Sequence, residues 1–502
     1  MSTTKARALD LSKSADRAFA HLLVNTLLVS VINFTVWFAV TFWVFLETRS
    51  VLATGMVAGI FLVTTALSGI WFGSLVDRYR KKTMMQASSL VSLAFYAVAF
   101  TLYQLTVEQT FINPASVMLW VFIVLSMLGV IAGNVRSIAL MTLVTLLIPD
   151  DRRDRANGLV GTTLGVSFLV TSVISGLLVA AGGMFYVLLL SMAVLVLSVV
   201  HLALVRVEDR PEVAAPPAEE STDLQPKQNK VDLRGTLRVV RGVRGLLALI
   251  GFSCFNNFLA GAFMALMDAY GLYLMSVQAW GLLWGALSTC FILGGLAVAK
   301  TGLGKNPVRL LLLVNIGFWS VSCLFPLQSS VILLTAGMAV YMLLGPYAEA
   351  AEQTILQKVV PYERQGRVFG FAQSIEQAAS PLTAFLIGPI TQLVFIPFMT
   401  TGAGVDLIGG WFGTGPTAGS HWFSCSPGFS ASLSHFSRCA ADRIGSLASV
   451  TPGSRSWLRP RLNDLPGSAR NSGVDQGALS CDCVGILVVK PDTTGAEVAE
   501  LN

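Results

Sequence analysis

From about position 21 to position 397 the chain is a succession of apolar stretches, each roughly 20 residues long. At 1.5 Å of rise per residue, a helix of that length crosses the roughly 30 Å hydrocarbon core of a bilayer. Backbone N–H and C=O groups find no water there, so each stretch must close its own hydrogen bonds and fold as a helix. The windows fall near 21–46, 52–74, 83–106, 115–140, 157–181 and 184–206, then near 245–275, 277–299, 308–326, 330–349 and 368–397. An all-α membrane protein with eleven recognisable spans is the fold class these windows dictate. With 54% hydrophobic and 12% charged residues, a soluble fold of 502 residues would lack polar surface. The N-terminal MSTTKARALDLSKSADRAFA offers no small-residue cleavage site and the first apolar run is too long for a signal sequence, so that run is expected to remain as the first span.

The connections orient the spans, because Lys and Arg collect in cytoplasmic loops. Arg78, Arg80, Lys81 and Lys82 follow the second span, Arg152, Arg153 and Arg155 the fourth, Lys300, Lys305 and Arg309 the eighth, and Lys358, Arg364 and Arg367 the tenth. The alternate loops VEQTFINP, AGG, MSVQ, LQSS and TTGAGVDLIGG hold no Lys or Arg, and ETRS holds only Arg49. The N-terminus and the central linker are therefore expected to be cytoplasmic, in a multi-pass protein of the cell (inner) membrane. The excess of 34 basic over 28 acidic residues belongs to this loop pattern, so the expected partner is the lipid bilayer and not nucleic acid. Cys254, Cys290 and Cys323 lie in apolar runs and Cys481 and Cys483 form CDC, so neither a metal site nor a disulfide framework is expected.

Residues 1–206 form an N-terminal six-span bundle. Residues 207–244 are a linker, in which EDRPEVAAPPAEESTDLQPKQNK has a disordered composition and VDLRGTLRVVRGVRG reads as a short basic surface helix. Residues 245–416 hold five further spans. The two halves repeat. IPDDRRDRANG from Ile148 and VPYERQGRVFG from Val360 align Pro149 with Pro361, Arg152 with Arg364, Arg155 with Arg367 and Gly158 with Gly370, all at an offset of 212. Each lies between the fourth and fifth span of its half. Duplicated halves of this kind form a binding site near the midplane and expose it alternately to either side. The pattern points to a carrier.

Between the second and third spans stands GSLVDRYRKK, Gly73 to Lys82. It resembles the signature loop of the major facilitator superfamily, G-x-L-x-D-R-x-G-R-K/R, through Gly73, Leu75, Asp77, Arg78, Lys81 and Lys82, with Arg80 where the family prefers Gly. The resemblance implies two six-helix bundles of major facilitator type and a gate at this loop that holds the outward-facing state. Asp77 can accept hydrogen bonds from an opposing helix N-terminus there. The second-half counterpart, GGLAVAKTGLGKNP from Gly294, has Gly295 and Lys300 but no acid where Asp77 would fall, so its gate is expected to be weaker. Arg364, Arg367 and Gly370, preceded by AEAAEQTILQKVVP, are similar to the corresponding loop of the twelve-span drug:proton antiporters, the macrolide efflux proteins among them. GGLAVAKT is not a P-loop, since Ala299 replaces the glycine before Lys300. No enzyme activity, catalytic residue, metal or cofactor is expected. The energy source implied is a proton gradient.

An ionisable side chain deep in a span is costly and is a functional candidate by default. Glu376 lies about nine residues into the eleventh span, and it is either a proton-coupling group or a buried structural acid. Glu349 and Glu352, on one face at the end of the tenth span, are secondary coupling candidates for which an ion pair with Arg136 is the expected role. Asn33, Trp37, Asn256 and Asn257 at mid-depth, with Phe38 and Phe258, are candidates for a substrate cavity, although buried asparagines also fasten helices together. Asp268 is expected near the outer interface.

From about Thr417 the apolar rhythm stops. Residues 417–502 are rich in Ser, Gly, Arg and Pro, where a twelfth span should complete the second bundle. If Trp422 to Ser426 use the codons TGG-TTY-TCN-TGY-TCN, a one-base shift yields Leu, Val and other apolar residues. The tail is therefore expected to be out of frame, with the twelfth helix lost to it; a genuine Ser/Gly-rich tail is the alternative. The expected function is export of amphipathic small molecules or drugs by a monomeric, proton-coupled antiporter, a multidrug-resistance type of efflux. The alternatives are the same fold moving a specific polar metabolite such as a siderophore, and a membrane scaffold or receptor that transports nothing.

Overall fold

The computed structural model describes residues 9–107, 109–206, 233–243, 245–324, 330–390 and 397. The expectations for most of the linker, the missing twelfth span and the 417–502 tail lie outside these residues. Among the described residues, each of the eleven apolar windows contains a helix. In order they are α1 (Ser14–Thr48), α2 (Val51–Arg78), α3 (Lys81–Leu105), the single turn α4 (Gln109–Ile112), α5 (Val117–Ala132), α6 (Asn134–Leu147), α7 (Arg153–Gly182), α8 (Met184–Leu204), α9 (Leu233–Gly242), α10 (Leu246–Leu274), α11 (Val277–Thr301), α12 (Pro307–Leu324), α13 (Val331–Val359) and α14 (Gln365–Ile390). Among the described residues eight spans are long and apolar enough to cross a membrane, counting α5 and α6 as one. Of the remaining windows, α9 and α10, bent by 105° at their junction, make a ninth span when taken together, and the described part of α12 is a shorter apolar helix.

The fourth window breaks at Gly133, whose N–H turns back to the Val130 carbonyl in a tightened turn. The Asn33 side-chain amide packs against Gly133 where a side chain would stand, so the break accommodates a polar group from α1. Large apolar side chains face outward all round, among them Leu67, Leu105, Leu197, Leu282 and Ile332. That is the surface a helical bundle offers to lipid, not to water. Inside the first bundle, Trp43 packs edge-on to Tyr103, Phe111 and Phe122 at 5.2–5.8 Å between ring centres.

The repeat persists at the level of single hydrogen bonds. Arg153 donates to the carbonyls of Thr145 and Ile148, and Gln365, 212 residues later, donates to those of Gln357 and Val360, also 212 residues later. At the opposite ends of the helices, Ser50, Ser116, Ser276 and Ser330 cap the N-termini of α2, α5, α11 and α13, each accepting a backbone N–H three residues on. α2 with α14 and α7 with α11 are the two broad seams that join the halves.

A carboxylate-lined cavity and its closure

The signature loop closes the α2–α14 seam. Gly73 packs so closely on the backbone of Gly366 that an added methyl would overlap the Gly366 carbonyl, and Gly69 meets Gly370 in the same way. This approach carries the Asp77 side chain, 3% exposed, to the N-terminus of α14. There it accepts the Gly366 N–H at 2.6 Å and the Arg367 N–H at 2.9 Å, with the Arg367 guanidinium 3.6 Å away. The first N–H groups of a helix have no partner within it and sit at the positive end of its dipole, so a carboxylate from another helix serves as their cap. Around this contact Leu75 packs on the core, the Lys81 ammonium lies 5.0 Å from the centre of the Tyr362 ring, Lys82 donates to the terminal carbonyls of α8 at Ala203 and Val205, and Arg78 and Arg364 are exposed.

The second seam, α7 with α11, has a carboxylate that sequence inspection missed. The loop after α11 holds no acid, as expected, but Asp154 in the first turn of α7 accepts the Leu303 N–H at 2.9 Å. The turn that delivers this N–H needs Gly302, whose φ of 73° is a left-handed conformation, and the Asp154 carboxylate occupies the space where a side chain would project. The signal was present in the repeat, because Asp154 sits 212 residues before Gly366. At one seam the acid is on the even-numbered span and the N–H groups on the odd; at the other they have changed places. Between the seams a buried amide pair adds a third tie: Asn157 donates to Gln357 at 3.0 Å and to Thr354 at 2.9 Å, and Gln357 donates back to Asn157 at 3.2 Å.

Deeper in, α10, α12, α13 and α14 surround a cavity of about 390 Å³, walled on the first-half side by Ser137 and Met141 of α6. Glu349, Glu352 and Glu376 all line it, and among the described residues no Lys or Arg does. At 1.5 Å per residue Glu376 lies about 16 Å from the start of α14, and Glu349 about 15 Å from the end of α13. Ser253 donates to Glu352 at 2.6 Å, and Glu376 lies beside Glu352 across the cavity. One Glu376 oxygen, Oε1, is buried with no partner. Asn256 accepts from the Trp319 indole N–H at 3.0 Å, and Asn257 donates to the Ser253 carbonyl, so these candidates line the cavity through one face of α10.

The first-half candidates are placed elsewhere. Asn33 accepts from the Tyr96 hydroxyl at 2.9 Å inside the first bundle, and Trp37 packs edge-on to Phe38 and tilted against Phe61; neither lines the cavity. The ion pair expected between Arg136 and Glu349 or Glu352 does not form. Arg136 is 2% exposed in the first bundle and donates to Asn25 and Ser89 at 2.5 Å and to the Met85 carbonyl, because its turn of α6 faces α1 and α3 and not the second half. The side chain of Asp268 lies outside the described residues.

The architecture, two repeated bundles with glycine-lined seams and a carboxylate capping the opposing helix, agrees with a sequence match between residues 22–384 and the profile of the Major Facilitator Superfamily. The chain belongs to this superfamily. Among its relatives within the superfamily, macrolide efflux protein A of Streptococcus pyogenes is 21% identical over 359 residues, covering 69% of this chain and 83% of that protein. Solved structures sharing the fold include a bacterial homologue of the iron transporter ferroportin in an outward-facing state (TM-score 0.58, 15% identity, 86% of this chain and 100% of that one). The proton:xylose symporter XylE (0.57, 12%, 86% and 96%) and the human organic anion transporter MFSD10 (0.57, 12%, 86% and 99%) share it equally. The chain is thus a multi-pass transporter of the major facilitator fold.

Proposed function

We propose that the chain is a secondary exporter of amphipathic organic molecules coupled to protons, with the second-half cavity as the common site. The observation that carries this reading is the Glu352–Glu376 contact in a cavity that also holds Glu349. Two carboxyl groups placed this close favour sharing one proton, so the pair is suited to taking up and releasing a proton where no basic side chain among the described residues neutralises it. Trp319, Phe318 and Tyr341 supply apolar wall for a bulky molecule, and the unopposed acids disfavour anions. Export of drugs is supported by the similarity to macrolide efflux protein A. In the cycle, Asp77, Asp154 and the Asn157–Gln357 pair close the side that bears the basic loops; loss of a proton from the glutamate pair favours occupancy by substrate, and reprotonation from the other side expels it. The amide-rich floor of Gln353, Gln373 and Gln377 favours a second reading, a specific polar metabolite as cargo.

The test is dye and macrolide movement in proteoliposomes under an imposed pH gradient. Glu376→Gln is expected to abolish the proton-driven component while leaving downhill exchange. Proton-driven efflux that survives both Glu376→Gln and Glu352→Gln would sink the coupling assignment. Movement of hydrophilic metabolites alone would replace the amphipathic cargo with the polar one.

A further inference from the structure

α9 is unlike the other described helices. It is ten residues long, it meets α10 at 105°, and so it runs along the surface of the bilayer that α10 crosses. Gly235, Thr236 and Val240 are buried against α10 and α14. On the opposite face Arg234, Arg238 and Arg241 are exposed, at positions i, i+4 and i+7, which superpose on a helix within an arc of roughly 60°. None of the three has a hydrogen bond or salt bridge with another described residue, unlike the partly buried Arg153, which pairs with Asp150, and Arg367, which lies 3.6 Å from Asp77. Three exposed guanidinium groups in a row at the level of the headgroups, with no acidic partner among the described residues, present a surface suited to an anionic partner. A guanidinium fork matches phosphate oxygens in geometry as well as charge.

We propose that the Arg234–Arg238–Arg241 stripe is a binding site for anionic phospholipid headgroups of the leaflet that faces the basic loops. Because α9 also packs on α14, whose first N–H groups Asp77 caps, lipid held at the stripe bears on the helix that closes the seam. The inference rests on the orientation of α9 and on no assumption about cargo or coupling.

Surface attraction to an anionic leaflet is worth about fivefold per arginine, so three contribute on the order of 100-fold at low salt, and less as salt screens them. The experiment uses the full-length chain in nanodiscs of phosphatidylcholine with 30 mole per cent phosphatidylglycerol, with co-purifying lipid counted by native mass spectrometry after detergent extraction. The R234Q/R238Q/R241Q triple is expected to lose at least tenfold in retained phosphatidylglycerol, with no change in retained phosphatidylcholine. The control triple K305Q/R309Q/K358Q removes equal charge elsewhere on the same side and is expected to keep its phosphatidylglycerol. Equal losses in both triples would reduce the stripe to a share of general surface charge and overturn the proposal. No loss in the α9 triple would overturn it as well, and would leave a soluble acidic partner as the occupant. Melting curves of the variants separate either outcome from misfolding, and transport need not be measured.

Discussion

Removing Asp154 should weaken the closed state by a predictable fraction of what removing Asp77 does. Asp77 accepts two backbone N–H groups and Asp154 accepts one from across the seam. A hydrogen bond to a charged group contributes about 1.5–3 kcal/mol, and the lower figure applies where water replaces the partner on opening. The equilibrium between closed and open therefore shifts by about 1.5 kcal/mol, slightly more than tenfold, in Asp154→Ala, and by about 3 kcal/mol, over 100-fold, in Asp77→Ala. The 3.6 Å Arg367 contact adds little, because that side chain is 35% exposed. The assay is alkylation of a single cysteine at Asn256 in an otherwise cysteine-free chain, by an impermeant maleimide applied from the basic-loop side in inside-out vesicles. Both variants should react faster in that ratio, and the double variant should multiply the two effects, since the seams share no partner. If Asp154→Ala reacted at the parental rate while Asp77→Ala did not, the α7–α11 contact would be a passive neighbour and not a latch.

Gly73→Ala puts a methyl into the Gly366 backbone, so the seam cannot close; transport should fall below about a tenth of the parental rate at equal expression, with the Asn256 cysteine permanently reactive. Asp16→Ala strips the partner from Arg152, whose 2.6 Å ion pair with Asp16 is almost wholly buried, and should cost about 3–5 kcal/mol, seen as a large drop in the melting midpoint in detergent. Ser116→Ala and Ser330→Ala remove equivalent caps and should each cost about 1 kcal/mol, with matching small shifts in the same melting curve; unequal shifts would show that the repeat is geometric but not energetic.

The spans were legible because a 20-residue apolar run admits little besides a helix, and the gate because Asp77 stands in a recognisable loop. Glu376, Glu352 and Glu349 were singled out by the cost of placing acids in hydrocarbon, and the structure brings all three to one cavity. What escaped was pairing across the halves. Asn33 and Asn256 sit at comparable depth in repeated helices, yet one faces Tyr96 inside its bundle and the other faces the cavity, and helical rotation of that kind leaves no mark on hydropathy. Arg136 was matched to the glutamates by charge alone, whereas neutral Asn25 and Ser89 hold it. Asp154 was passed over because an acid in the first turn of a helix already has a local explanation in the dipole.

Both latching carboxylates, Asp77 and Asp154, belong to the first half, and the second half answers them with main-chain N–H groups, Arg367 adding only a partly exposed guanidinium at 3.6 Å. The two halves therefore face unequal constraints under mutation. A substitution at either aspartate removes a latch outright, whereas the residues around Gly302 and Gly366 can drift freely so long as the backbone keeps its shape. Searching the second half for a mirror image of the gate motif overlooks the contact for that reason: half of the lock is written in side chains and half in a peptide geometry that many sequences can supply.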